Sequence, residues 1–68
     1  MQIKGTGKFA VNRIITDDGI IINGMVELNN DIVVDYYAFD EEQPFTQWLG
    51  GTIKLLREEG NMVAHVLR

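Results

Sequence analysis

The 68-residue chain has no cysteine and no serine, and only one proline and one histidine. Without cysteine, neither a disulfide nor a thiolate metal site can hold the fold, so stability has to come from packing or self-association. Cysteine and serine are also the commonest activated nucleophiles, and their absence removes the usual covalent chemistries. His65 is the one imidazole that could serve as a general base, yet it lies in the apolar segment MVAHVL with no second histidine or cysteine to complete a zinc site. It reads as a surface or satisfied core residue.

Long apolar runs are missing as well. No stretch nears the ~18 consecutive apolar residues of a membrane span, and MQIKGTGK lacks the apolar segment of a secretory signal. The expectation is a cytoplasmic protein, without membrane contact. A hydrophobic content of 46% with 24% charged residues is that of an ordinary globule. The length allows one domain, 1–68, at a size where burial barely outweighs lost conformational freedom.

Basic residues are absent from one long stretch. The net charge is -4, and between Glu27 and Glu42 the chain carries Glu27, Asp31, Asp35, Asp40, Glu41 and Glu42 with no lysine or arginine. General affinity for nucleic acid or anionic lipid needs a basic footprint, which this band opposes. Tyr36, Tyr37, Phe39 and Trp48 have the rings to stack on bases, but single-strand binders pair such rings with a positive groove.

No motif carries a cofactor or a metal. GTGK at Gly5 to Lys8 lacks the GxxxxGK[ST] spacing of a phosphate loop, and DDG lacks the later oxygen ligands of a calcium loop. The carboxylate pairs Asp17-Asp18, Glu41-Glu42 and Glu58-Glu59 are sequence neighbours that do not converge on a substrate; solvated surface is their default. The expectation is a non-enzymatic protein.

Turn signals organise the first forty residues. Asp18-Gly19 suits a type I′ hairpin turn, which predicts Ile15 opposite Ile22, Arg13 opposite Gly24 and Phe9 opposite Leu28. A three-residue loop at Asn29 to Asp31 then sets Tyr36 beside Gly24, so that Arg13 either lies over Gly24 against the Tyr36 ring or reaches solvent past a bulge.

Further on, Phe45, Trp48, Leu49, Thr52, Ile53 and Leu56 fall at helical spacing, with Pro44 at a first-turn position and Gly60-Asn61 as a stop. Gly50 and Gly51 lie in the middle of this segment, each costing a helix about 1 kcal/mol against alanine. The pattern predicts α+β architecture, β-β-β-α-β, with one helix on one face of a three- to four-stranded antiparallel sheet. The alternative is a small all-β barrel, in which the chain breaks at the glycines and TIKLLR closes through EEGN onto MVAHVL.

In the α+β arrangement a single helix covers one side of the sheet, and the other side carries Ile14, Ile21, Met25, Val33, Tyr37 and Phe39 among acidic residues. A large apolar patch on a small protein signifies association. The expected partner-binding residues are Ile21, Met25, Glu27, Asp31, Asp35, Tyr37, Phe39, Asp40, Glu41 and Glu42, docking on a basic surface of another protein. A small, acidic, cysteine-free chain has the profile of a phage- or mobile-element-encoded inhibitor, such as an anti-CRISPR or other anti-defence protein acting on nucleic-acid-handling machinery. The alternative is a self-assembling homodimer or higher oligomer, a structural or accessory subunit whose symmetry consumes the apolar face.

Overall fold

The computed structural model describes residues 1–41 and 44–67, which form six strands: β1 (Gly7–Thr16), β2 (Gly19–Asn29), β3 (Ile32–Ala38), β4 (Thr46–Trp48), β5 (Thr52–Glu58) and β6 (Asn61–Leu67). The first two tight turns differ from those predicted. The Thr16 hydroxyl donates to the Gly19 carbonyl at 3.0 Å and accepts the Asp18 N–H at 3.1 Å. This closes the β1–β2 hairpin on Thr16 and Gly19, so Phe9 faces Val26 and Arg13 faces Ile22. The two-positive-φ turn lies instead at Asn30 and Asp31, with φ of 51° and 72°, residue types that tolerate that conformation at modest cost. A third turn at Glu59-Gly60 joins β5 to β6 within the EEGN segment that the all-β alternative expects to close this hairpin.

The helix expected between Pro44 and Gly60 does not form, and among the described residues there is none; the α+β reading is replaced by the all-β alternative. Gly50 and Gly51 have φ of 71° and 66°, which a right-handed helix cannot contain. Their role is to let one margin of β1 serve two partners. β4 runs parallel to Lys8–Ala10, and β5 runs parallel to Arg13–Ile15. Between them the chain steps outward and returns, held by Leu49 and Gly50 N–H groups on the Ala10 carbonyl at 2.9 and 3.2 Å. Asn12 and Arg13 N–H groups both bond the Gly51 carbonyl, at 2.9 and 3.1 Å, and Asn12 Oδ1 accepts the Gly51 N–H at 2.7 Å.

The strands follow the order β3-β2-β1-β5-β6, with β4 off the path against β1, and the mixed sheet curls until β3 lies beside β6 without a ladder between them. Met1–Ile3 closes part of this seam: the Ile3 N–H bonds the Ala64 carbonyl and the Val66 N–H bonds the Met1 carbonyl, both at 2.8 Å. The Asn30-Asp31 turn ties down the next residues, with the Asn30 N–H on the Thr6 hydroxyl and the Gly5 N–H on the Asp31 carboxylate. The interior holds Phe9, Val11, Ile14, Val26, Leu28, Val33, Ile53, Leu55 and Ala64. Burying aliphatic area at roughly 25 cal/mol per Å² is the main stabilising term for a fold with no disulfide and, among the described residues, no helix.

Local irregularities decide which side chains enter. Where Asn12 and Arg13 share one carbonyl, β1 switches face: Phe9 and Val11 point inward before it and Ile14 after. Asn23, opposite Asn12 and with φ of 55°, does the same on β2, turning Ile21 inward against the core while Val26 and Leu28 enter beyond it. The expected placement of Ile14 and Ile21 on the outer face is therefore overturned. The register slip between Glu27 and Leu28 does the same on β3, so Val33 points inward, also against expectation, and Asp35 stays outside. Gly24 does not lie under Arg13 either. The Ile14 side chain fills the space that a Cβ on Gly24 would need.

Candidate interaction surface

The outward side of β3-β2-β1-β4 is a regular grid, because antiparallel and parallel ladders both hold paired residues side by side. One row reads Tyr37, Met25, Ala10, Trp48 from β3 across to β4, and the next reads Asp35, Glu27, Lys8, Thr46. Met25 is fully buried and Ala10 nearly so, although both face away from the barrel interior. Burial that complete at an outward position means that neighbouring side chains close over it, making a solid apolar floor between two aromatic flanks.

The flanks differ in exposure. Tyr37 is half-buried and its hydroxyl donates to Glu27 Oε2 at 2.6 Å, which fixes the ring and orients the carboxylate. This bond to the carboxylate, reinforced by desolvation and by the negative charges of Glu27 and Asp35, pushes the Tyr37 pKa from 10.0 up to about 12. Trp48 is 61% exposed, and its indole lies near Gly50 and Asn12, since a side chain at Gly50 would meet both Trp48 Nε1 and Asn12 Oδ1 at 3.5 Å. Phe45, just before β4 and at a positive φ of 58°, is 98% exposed.

The residues expected to bind a partner are thus divided by the structure. Met25, Glu27, Asp35 and Tyr37 share the grid. Phe39 is half-buried beyond its end, its N–H on the Asn23 carbonyl at 2.9 Å, and Asp40 and Glu41 follow in exposed chain. Glu42 lies outside the described residues. Asp31 serves the turn and the N-terminal segment, and Ile21 faces the core. Phe45 and Trp48 were absorbed by the supposed helix and are the additional exposed side chains here; the signal that separates them from the core is the adjacent Gly50-Gly51 pair.

Asp35 has a second task. Its carboxylate accepts the Tyr36 N–H at 2.8 Å, so a donor on β3 that has no strand partner is capped, which blunts this margin against stray pairing. A cleft of about 340 Å³ separates this margin, with Asp35 and Tyr36 on its near wall, from Arg57, Asn61 and Met62 on the opposite side. Among the described residues no three histidine, aspartate or glutamate side chains are gathered as a metal site would need, and His65 Nε2 is 3.1 Å from Glu58 Oε2.

Comparison with protein-family models, curated proteins and solved structures returns no match to this chain.

Proposed function

We propose that this chain is a non-enzymatic docking module that presents the outward side of β3-β2-β1-β4 to a basic surface on another protein. The observation that supports this most is the make-up of the grid, with exposed Trp48 at one flank and Tyr37, Glu27 and Asp35 toward the other, and exposed Asp40, Glu41 and Phe45 in the chain that joins β3 to β4. Aromatic anchors on a rigid, apolar floor are what interface energetics favour, and surrounding carboxylates select a cationic partner and speed its approach. Lys8 is the one base in the grid, and it sits opposite Glu27.

Positive surfaces of the required kind are common on proteins that hold nucleic acid, where a phosphate-tracking groove accepts carboxylates with hydrophobic anchors. An inhibitor of the anti-CRISPR or anti-defence type is the form of this reading that best suits a small acidic chain. The test is capture of a partner from host lysate on immobilised protein, followed by release with duplex DNA. Wild-type protein retains a basic partner that DNA elutes, while protein carrying Asp40→Lys and Glu41→Lys does not retain it. Equal capture by the charge-reversed protein would refute the reading. Asp40 and Glu41 are preferable to Asp35 for this purpose because Asp35 also caps the Tyr36 amide.

A further inference from the structure

Toward the β1–β2 hairpin tip, and across onto β5 and β6, the outer surface has a different character. Across β2-β1-β5-β6, one outward row reads Ile20, Ile15, Lys54, His65 and the next reads Ile22, Arg13, Thr52, Leu67. Ile20 is 61% exposed, Ile22 58% and Leu67 42%, while Ile15 is half-buried yet packs against nothing in the core cluster. A β-branched aliphatic cluster this open is unusual for the outer side of a small sheet. It is also charged in a specific order. The Asp17-Asp18 turn lies at the hairpin tip, the isoleucines come next with Lys54 beside Ile15 in the same row, and Arg13 follows on the far side. Among the described residues, none of these charged groups is in an ion pair.

We infer that this surface is an interface with a second copy of the chain, joined about a two-fold axis through Ile15 and Ile20. Such an axis brings the isoleucine cluster onto itself and reverses the hairpin direction, so that the tip carboxylates of each protomer meet Arg13 of the other. Arg13 stands two residues from Ile15 on one side and Asp17 two residues on the other, roughly 7 Å each at strand spacing, which makes the patch complementary to its own rotated image. A closed dimer results, and the acidic aromatic surface stays free on both protomers. The inference stands independently of the docking function proposed above.

Sedimentation velocity or light scattering from wild-type protein at roughly 0.1 mM, where a micromolar dimer is filled, is expected to give twice the 7.7 kDa mass of the chain. Ile20→Glu is expected to give the monomer mass with an unchanged circular dichroism spectrum. Arg13→Asp and Asp17→Arg singly are each expected to weaken the dimer by about tenfold or more, and together to restore it to near wild-type strength, because the reversed pair meets across the axis. The combined variant keeps the test informative even where Ile20→Glu perturbs folding. A wild-type monomer at this concentration overturns the inference. So does a dimer that survives Ile20→Glu and the single charge reversals but is lost on Trp48→Ala, since that result puts self-association on the acidic surface.

Discussion

Asn12 and Gly51 hold each other reciprocally: the side-chain oxygen of Asn12 accepts the Gly51 N–H at 2.7 Å, and the Gly51 carbonyl accepts the Asn12 N–H at 2.9 Å. This two-way bond fastens the point at which β1 exchanges one parallel partner for another. Asn12→Ala is expected to cost about 1 to 2 kcal/mol through the lost side-chain acceptor. Gly51→Ala places a Cβ at a φ of 66° and is expected to cost a similar amount through strain alone, as the space around it is open. Urea denaturation of both variants measures this, and unchanged midpoints would mean that the junction contributes nothing.

Gly24 and Ile14 form a second interdependent pair. Gly24→Ala is expected to destabilise by about 1 to 3 kcal/mol, because the new Cβ overlaps the end of the Ile14 side chain. In an Ile14→Ala background, which removes both overlapping atoms, Cδ1 and Cγ1, the same substitution is expected to cost measurably less. A double-mutant cycle from thermal melts reads the coupling, and strict additivity would contradict the packing described.

The phenol of Tyr37 offers a spectroscopic handle. Its neutral form is favoured by the fold, with a pKa of about 12 against an ordinary 10.0, so the stability it contributes is fully present below pH 10 and is lost as pH rises through 12. Tyrosinate absorbance is expected to show one of the two tyrosines titrating late in the wild type and at a lower pH in Glu27→Gln. A Tyr37 titration at the ordinary 10.0 in the wild type would show that the bond to Glu27 does not persist in solution.

For the docking surface, Trp48→Ala is expected to weaken partner capture by about 2 kcal/mol or more, as anchors at interface centres do, and to leave the melting temperature within a few degrees, the ring being mostly exposed. Surface plasmon resonance with the captured partner is expected to show association slowing as salt is raised from low to physiological strength, with dissociation changing little. A salt-independent association rate would argue that the carboxylates do not steer.

Much of the outer grid was legible from the sequence because alternation along β2 and β3 puts Met25 with Glu27 and Asp35 with Tyr37 wherever the hairpin closes. The closure itself was misread. Asp18-Gly19 has the composition of a type I′ turn, but the Thr16 hydroxyl binds both sides of an Asp17-Asp18 turn and wins. Ile21 and Val33 fell on the wrong side because Asn23 and the slip beside Leu28 reset the alternation, and neither leaves a local periodic signature. The largest departure is at the expected helix. Six positions from Phe45 to Leu56 match one helical face, yet Trp48 lies in β4 and Thr52, Ile53 and Leu56 in β5, two strands whose partner lies far back in the sequence, and only the glycine pair marks the division. Period alone cannot register a parallel ladder formed at long range.

The divided margin of β1 has a kinetic corollary. The hairpins on either side of it close over neighbouring residues and can form quickly, whereas zippering Trp48 onto Ala10 and Ile53 onto Ile14 closes loops of roughly forty residues before either contact contributes. The seating of the second half along that strand is accordingly expected to follow hairpin closure, and it is this event that completes the tryptophan's side of the grid.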